Sequence, residues 1–354
     1  MKAKHPQFSR KKTDGRLECT LCPRFCNLAD DQRGLCFVRK RQGEKIELTT
    51  YGRSSGFVID PIEKKPLNHF YPGSSVLSFG TAGCNLSCKF CQNWDMSKSR
   101  EMDILQSPAT PEAIAQAALD HQCHSVAFTY NDPVIFYEYA VDTAIACHER
   151  GVKTVAVTAG YINETAREGF FRHVDAVNVD LKGFSDSFYQ ELCAGSLQPV
   201  LETLEYLIQE TSVGAEITTL LIPGENDSEK ELDAMTTWIA QRLGTDVPLH
   251  FSAFHPDYKL MNHPSTTHQS LLKAKRIALK NGLNYVYLGN VHDPENATTS
   301  CPACGKTLIG RIGYTITAWH LDAKGCCKSC GQRLPGVFEA THGSWGNRYE
   351  RIRI

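Results

Sequence analysis

The sequence predicts an α/β protein built on a partial, incomplete TIM-type barrel of about six βα units. Three observations support this prediction: short apolar segments alternate with helical segments through the centre, four cysteines cluster near the start, and two CxxCG motifs lie near the end. Strands that alternate with helices pair in parallel through right-handed connections. We therefore divide the chain into an N-terminal cysteine module (1–72), the partial barrel (73–292) and a C-terminal zinc ribbon (293–354).

The composition narrows the function classes. The chain has 354 residues and a formal net charge of −1, so it can bury a substantial core and has no overall basicity that would recruit nucleic acid or anionic lipid. Its first residues do not resemble a signal peptide, and no run of about 18 apolar residues suggests a membrane span. We expect a cytoplasmic protein whose 15 cysteines are reduced or bound to metal, with neither nucleic acid nor a membrane as a partner.

The N-terminal module contains a predicted metal site. Pro23 and Gly34 are turn-forming residues that can aim neighbouring thiolates at one point. Four thiolates can close a tetrahedral site. The metal stays open between zinc, as a structural staple, and a second iron–sulfur cluster that could relay electrons. The predicted ligands are Cys19, Cys22, Cys26 and Cys36.

A second cysteine group follows the first strand of the barrel. The apolar strand 75–79 leads into a loop that carries Cys84, Cys88 and Cys91, with Phe90 directly before the last thiol. Thiolates at this spacing suit zinc or an iron–sulfur cluster. Because no fourth cysteine lies nearby, one metal position is left open for another ligand.

This C-x3-C-x2-C loop with its aromatic residue resembles the signature of radical S-adenosylmethionine (SAM) enzymes. The resemblance implies that Cys84, Cys88 and Cys91 hold a [4Fe-4S] cluster whose open iron is chelated by the amino and carboxylate groups of SAM. It also implies reductive cleavage of SAM to a 5′-deoxyadenosyl radical that abstracts hydrogen, with the electron supplied by a flavodoxin- or ferredoxin-like donor. A zinc loop is the alternative.

The resemblance extends to one branch of these enzymes. The N-terminal cysteines and the loop 60–73 resemble those of the AmmeMemoRadiSam-system enzymes, which are relatives of the pyruvate formate-lyase activases. This implies an activase-like oxidoreductase, with a protein as one candidate substrate and with Memo-type and AMMECR-type proteins as candidate partners. The nearest alternative is a glycyl-radical-enzyme activase. The alternative from another class is a non-redox, zinc-stapled binding protein.

The elements of the barrel follow in order along the chain. Thr110 precedes Pro111 and an Ala-rich segment, which is the pattern of a helix N-cap. The later helices carry apolar residues at helical spacing, and the strands are short apolar runs. The predicted strands are 75–79, 125–129, 154–158, 176–181, 217–222, 249–254 and 285–288, and the predicted helices are 111–122, 134–149, 164–172, 199–211, 229–243 and 270–280.

Polar residues follow three of these strands, where a barrel of this type has its active site. Asn131 and Asp132 come after the second strand, and Thr158 ends the third. The resemblance places Asn131 and Asp132 beside the SAM amino group, although Asp132 stands where relatives carry Glu, and it places Thr158 near the cofactor. The alternative for Asp132 is to cap the following helix.

The fourth strand ends with an acid and an amine, Asp180 and Lys182, which alternation directs to one face. The resemblance places them near the methionine carboxylate of SAM; a purely structural ion pair is the alternative. His250, in the sixth strand, matches a family position near the adenosine, and an ordinary hydrogen-bonded histidine is its alternative.

The C-terminal module carries two CxxCG knuckles. Glycine after the second thiol of each knuckle permits a tight turn, and paired knuckles form a closed four-thiolate zinc site. We expect this module to be a lid or a docking surface for a macromolecular substrate. The predicted zinc ligands are Cys301, Cys304, Cys327 and Cys330, and Cys123, Cys147 and Cys193 are predicted to be small core residues.

Overall fold

A computed structural model describes residues 5–99 and 107–354. The strands are β1 (Ser9–Lys11), β2 (Leu17–Cys19), β3 (Asn27–Leu28), β4 (Arg39–Gln42), β5 (Lys45–Leu48), β6 (Arg53–Ser54), β7 (Phe57–Pro61), β8 (Ser75–Phe79), β9 (Ser107–Pro108), β10 (Ser125–Phe128), β11 (Lys153–Thr158), β12 (Ala176–Asp180), β13 (Gly214–Leu221), β14 (Leu249–Ala253), β15 (Val286–Gly289), β16 (Thr299–Ser300), β17 (Thr307–Ile312), β18 (Thr315–Trp319) and β19 (Glu350–Ile352).

The α-helices are α1 (Trp94–Ser97), α2 (Pro111–Asp120), α3 (Tyr137–His148), α4 (Glu164–Phe171), α5 (Asp186–Phe188), α6 (Gln198–Glu210), α7 (Glu229–Trp238), α8 (His268–Lys280) and α9 (Pro294–Ala297). Short 3-10 helices span Ile62–Lys64 and Pro133–Phe136, and π-helical turns span Tyr189–Cys193 and Ile239–Leu243. Thr110 caps α2 by accepting a hydrogen bond from the Ala113 backbone N–H at 3.2 Å.

The centre of the molecule is one mixed sheet with the order β15-β14-β13-β12-β11-β10-β8-β7-β19 in the described chain. The strands from β15 to β8 are parallel, whereas β7 and β19 are antiparallel to their neighbours. The predicted alternation of parallel strands and helices is confirmed, and this arrangement is consistent with a partial barrel. The carboxyl ends of the parallel strands therefore meet at one edge of the sheet, which we call the C-terminal edge.

The loop between β7 and β8 packs on one face of this sheet. Ile62, Leu67 and Phe70 are buried against Val76, Ala127, Val155 and Ala176, which are side chains of four neighbouring strands. The alternate residues of the same strands, such as Leu77 and Val126, pack in the main core with the helices on the other face. We call the face that the loop covers the inner face. The loop thus fills the inner face below the C-terminal edge.

A buried ion pair joins the N-terminal module to the barrel. Arg39 of β4 donates from Nη1 and Nη2 to the Glu138 carboxylate of α3 at 2.8 and 2.5 Å, and from Nε to the Ile135 carbonyl at 3.0 Å. The two side chains are 3% and 18% exposed. Arg39 is therefore a fixed point between the module and the barrel.

The C-terminal module packs at the opposite edge from the carboxyl ends of the strands. Its Arg311 side chain donates to the Asn68 carbonyl at 2.8 Å, and its Val337 N–H donates to the His69 carbonyl at 2.8 Å. Tyr285, just before β15, belongs to the small core of this module. These contacts contradict the expected lid, because they lie away from the C-terminal edge. The alternative, a docking surface for a macromolecular substrate, stays a prediction.

None of the described helices is long and apolar enough to cross a membrane. The edge strand β19 joins the sheet by pairing with β7, with Glu350 opposite Ile59 and Ile352 opposite Phe57.

Candidate active site

An open cleft of about 290 Å³ lies at the C-terminal edge of the parallel strands. The loop after β8 forms one wall, and the residues that follow β10, β11 and β12 form another. The structure brings together in this cleft eight of the nine residues predicted to serve the catalytic cluster and SAM. They are Cys84, Cys88, Cys91, Asn131, Asp132, Thr158, Asp180 and Lys182.

The cysteine loop follows β8 through two glycines that a side chain would disturb. A Cβ on Gly80 would lie 2.4 Å from the Thr129 carbonyl oxygen, and one on Gly83 would lie 2.0 Å from the Cys36 carbonyl oxygen. Gly83 also has a φ of +79°, which favours glycine. The loop can approach β10 and the N-terminal module this closely only because both positions lack a Cβ.

Asn131 holds this loop from the neighbouring strand. Its Oδ1 accepts a hydrogen bond from the Thr81 N–H at 3.2 Å, and its Nδ2 donates to the Gly83 carbonyl at 2.8 Å. Asn131 is buried at the base of the cleft. Its amide therefore positions the backbone directly before Cys84.

Asp132 caps the turn that follows, as its alternative interpretation expects. Its Oδ1 accepts from the Val134 N–H and from the Thr158 hydroxyl, both at 3.0 Å, and its Oδ2 accepts from the Ala159 N–H at 3.0 Å. Burial raises the pKa of Asp132 to about 6. A carboxylate has about four lone-pair sites, so Oδ2 can still accept one further hydrogen bond from the cleft.

Lys182 brings a cation into the cleft. Its Nζ donates to Asp180 Oδ2 at 3.0 Å, so the alternative ion pair is present. Burial acts to lower the pKa of Lys182, but the charge of Asp180 and the Cys88 thiolate hold it well above its ordinary value. Lys182 therefore stays charged beside the cysteine loop.

Cys193 is a neighbour of the site that sequence reasoning did not identify. It is fully buried, as predicted for a core residue, but its side chain interacts with Cys88 and lowers the pKa of the Cys88 thiol to about 6. Backbone bonds join the two segments: the Ser87 N–H donates to the Cys193 carbonyl at 2.9 Å. The two cysteines are distant in sequence, so no local pattern could have paired them.

The structure does not place His250 in the cleft lining. Its Nε2 lies 2.6 Å from Glu216 Oε2, and the other carboxylate oxygen of Glu216 accepts from the His69 N–H at 2.7 Å. The His69 ring in turn lies 2.6 Å from the Tyr287 hydroxyl. His250 thus belongs to a buried polar network that joins β13, β14 and the inner-face loop.

Two further cysteine groups lie outside the cleft. Cys301 and Cys330 have their sulfurs 3.5 Å apart, Cys304 and Cys327 have theirs 3.8 Å apart, and all four lie within 4.8 Å of one another. The predicted C-terminal four-cysteine cluster is therefore present. The four N-terminal cysteines instead line a small cavity, together with Arg24, Arg39 and apolar residues of the barrel.

A parallel sheet with a three-cysteine loop and a polar cleft at its C-terminal edge defines a metal-binding α/β enzyme. Residues 79–235 match the family model described as the Radical SAM superfamily. The chain is 38% identical to Uncharacterized protein MJ0808 of Methanocaldococcus jannaschii over 332 residues, which cover 94% of this chain and 98% of that protein. Residues 79–235 therefore form a Radical SAM domain, and members of this superfamily combine a [4Fe-4S] cluster with SAM.

Two more distant similarities complete the comparison. The chain is 24% identical to the pyruvate formate-lyase-activating enzyme of Clostridium pasteurianum over 53% of this chain and 83% of that enzyme. The crystal structure of a radical SAM methyltransferase from Sphaerobacter thermophilus aligns with a TM-score of 0.49 and 16% identity over 62% of this chain and 67% of that one.

Proposed function

We propose that this protein is a radical SAM oxidoreductase in which Cys84, Cys88 and Cys91 bind the [4Fe-4S] cluster and the adjoining cleft binds SAM. The observation that carries the proposal is the convergence of three thiols and several strand-end polar groups on one cleft. When bound, the cluster and SAM supply reductive cleavage of the sulfonium C–S bond and the hydrogen abstraction that follows. The chain binds, orients and shields these groups.

The spacing of the three thiols supports a cluster over a single ion. The C-terminal four cysteines are the one group of three or more His, Cys, Asp or Glu side chains in residues 5–99 and 107–354 that gathers closely enough for a metal ion. Cys84, Cys88 and Cys91 all line the cleft, but their sulfurs do not gather this closely. Each ligand of a cubane binds a different iron, so a wider spread suits a cluster.

The charges of the cleft fit the two ends of the methionine part of SAM. The Lys182 cation would attract its carboxylate, and Asp180 together with the free lone pair of Asp132 Oδ2 would attract its ammonium group. Thr158 holds Asp132 in place, and Asn131 holds the cysteine loop. His250 would act on the adenosine side only through the buried network beneath the cleft.

For the substrate and partners, we propose an activase-like reaction on a protein, with electrons from a flavodoxin- or ferredoxin-like donor. The similarity to an enzyme named as activating pyruvate formate-lyase supports this substrate class. The cysteine module and the loop 60–73 support the AmmeMemoRadiSam type, for which Memo-type and AMMECR-type proteins are candidate partners. A glycyl-radical-enzyme activase is the nearest alternative.

For the C-terminal cluster we propose zinc. Four thiolates around tetrahedral zinc, at Zn–S distances of about 2.3 Å, lie roughly 3.8 Å apart. The observed pairs at 3.5 and 3.8 Å match this separation. Zinc here would fasten the two knuckles beneath the sheet.

Anaerobic reconstitution with iron and sulfide tests the proposed function. The wild-type protein should convert SAM to 5′-deoxyadenosine under dithionite, and Cys88→Ala should abolish this conversion. Cys123→Ala, a matched change of a buried cysteine outside the cleft, should leave it intact. Protein that binds only zinc and leaves SAM unchanged would establish the rival, a zinc-stapled binding protein.

The role of the cation is tested separately by Lys182→Met. Loss of a hydrogen bond to a charged partner costs about 1.5–3 kcal/mol, so the Kd for SAM should rise about 10- to 150-fold at unchanged iron content. The matched control is Lys153→Met, because Lys153 pairs with Asp175 at 3.0 Å outside the cleft lining. Equal SAM affinity of the two variants would remove Lys182 from the binding site.

A further inference from the structure

We infer that Cys19, Cys22, Cys26 and Cys36 bind a second iron–sulfur cluster and not a single zinc ion. This inference does not depend on the proposed function, because it concerns a separate cavity. It rests on three features of the described structure: the space that the thiols face, the spread of the thiols, and a buried guanidinium nitrogen without a hydrogen-bond partner.

The four cysteines line a small cavity between the N-terminal module and the barrel, just large enough to admit a water-sized sphere. Apolar side chains of the module and of the barrel, Leu21, Val134 and Ile135, complete its wall. A zinc ion coordinated by four thiolates is enclosed by its own ligands and needs no additional space. A cubane of four irons and four sulfides fills a volume of its own among its four thiolates.

The N-terminal thiols are spread like the catalytic ones and unlike the C-terminal ones. Only Cys301, Cys304, Cys327 and Cys330 gather closely enough for one ion in the part of the chain that the structure describes. The thiols of the N-terminal set remain apart around their cavity, as do those of Cys84, Cys88 and Cys91 around the cleft. One chain thus contains both kinds of spacing, and the N-terminal set has the kind that suits a cluster.

Arg24 provides an independent observation. It lines the cavity, its Nε donates to the Asn85 carbonyl at 2.7 Å, and its buried Nη2 has no hydrogen-bond partner in the described chain. A buried N–H without a partner is costly. The sulfides and thiolates of a cluster are anionic acceptors, so a cluster in the cavity would supply the missing partner.

The site is completed by the barrel and adjoins the catalytic loop. Arg24 is held by Asn85, the residue after Cys84, and Gly83 packs on the Cys36 carbonyl. The cavity therefore exists only when the module is docked on the barrel. The experiment accordingly uses the full chain and removes the catalytic ligands instead of isolating the module.

The test is a Cys84→Ala, Cys88→Ala, Cys91→Ala triple variant, reconstituted anaerobically with iron and sulfide and analysed for iron, sulfide and zinc. We expect about four irons and four sulfides per chain to remain, with an iron–sulfur EPR signal after reduction. Cys22→Ala added to this variant should remove the iron and leave the C-terminal zinc. Circular dichroism matching that of the wild type shows that each variant folds.

An iron-free triple variant overturns the inference, whether it holds zinc at two sites or at one. Because the catalytic ligands are absent from this variant, its iron content is independent of whether the proposed SAM chemistry occurs. In the triple variant, Arg24→Met should also lower the reduction potential of the remaining cluster, because a neighbouring cation favours the more negative reduced form. The control Arg16→Met, at an exposed position, should leave that potential unchanged; equal effects of the two would contradict the placement of Arg24.

Discussion

The ion pair between Arg39 and Glu138 gives the sharpest prediction for stability. Arg39 is 3% exposed, and its replacement by Met removes three hydrogen bonds and leaves the Glu138 carboxylate, 18% exposed, without its counter-charge. Removing one partner of a buried pair costs about 3–5 kcal/mol. Domains are stable by only about 5–15 kcal/mol, so the loss should be large. We expect Arg39→Met to lower the free energy of unfolding by about 3–5 kcal/mol.

The measurement is a double-mutant cycle in urea, followed by circular dichroism on protein of measured metal content. Glu138→Leu alone should also destabilise, because it leaves the Arg39 cation unpaired. The double variant should lie within about 1 kcal/mol of the wild type, since replacing both partners by apolar groups is often neutral. Lys11→Met is the control, because its partner Glu44 is 72% exposed; it should cost at most about 0.5 kcal/mol. An Arg39→Met variant no less stable than Lys11→Met would refute the reasoning.

Three other predictions concern a carboxylate and the cysteine loop. Burial acts to raise the pKa of Asp175, but the hydrogen bond from His148 and others hold it at about 2, below its ordinary 3.8. Asp175 therefore stabilises the fold above about pH 4 and loses this effect as the pH falls toward 2. Asp175→Asn should remove this pH dependence, which we expect to be worth roughly 1–2 kcal/mol of unfolding free energy between pH 4 and pH 2. Gly83→Ala should separate the loop from Cys36, because its Cβ would lie 2.0 Å from the Cys36 carbonyl, and both iron sites should bind less metal. Asn131→Ala should reduce the iron content of the catalytic site alone, because its amide bonds only that loop.

Each of these has a result that would contradict it. Parallel pH–stability curves for wild type and Asp175→Asn would show that the carboxylate gains nothing from its partners. Full iron loading of Gly83→Ala would mean that the close approach can relax without cost. For Asn131→Ala, equal losses from both iron sites would indicate general unfolding instead of a local effect, and iron analysis in the background of the Cys22→Ala change separates the two.

Local patterns predicted the parallel strands and most helices, because strand and helix periodicities follow from the sequence itself. The beginning of β13 was missed by three residues, since the buried Glu216 interrupts an apolar run and has its partners, His250 and His69, elsewhere in the chain. The pairing of β7 with β19 was also missed. An antiparallel pair between distant segments leaves no local signal.

The site shows the same division. The three cysteines, Asp180 and Lys182 could be assigned to one place because the carboxyl ends of parallel strands meet at one edge. The contact of Cys193 with Cys88 depends on a π-helical turn that ends at Ala194 in the left-handed region, and sequence alone does not specify it. The orientation of the C-terminal module depends on long-range bonds such as that from Arg311 to Asn68.

The order in which the strands are synthesised has a consequence for folding. β7 emerges from the ribosome early, and its outer edge is covered only when β19 arrives, after the whole parallel sheet has been made. An uncovered strand edge can pair with another chain. Contacts between segments so far apart also form slowly. The nascent protein should therefore be most prone to aggregation, and most dependent on chaperones, until β19 covers β7.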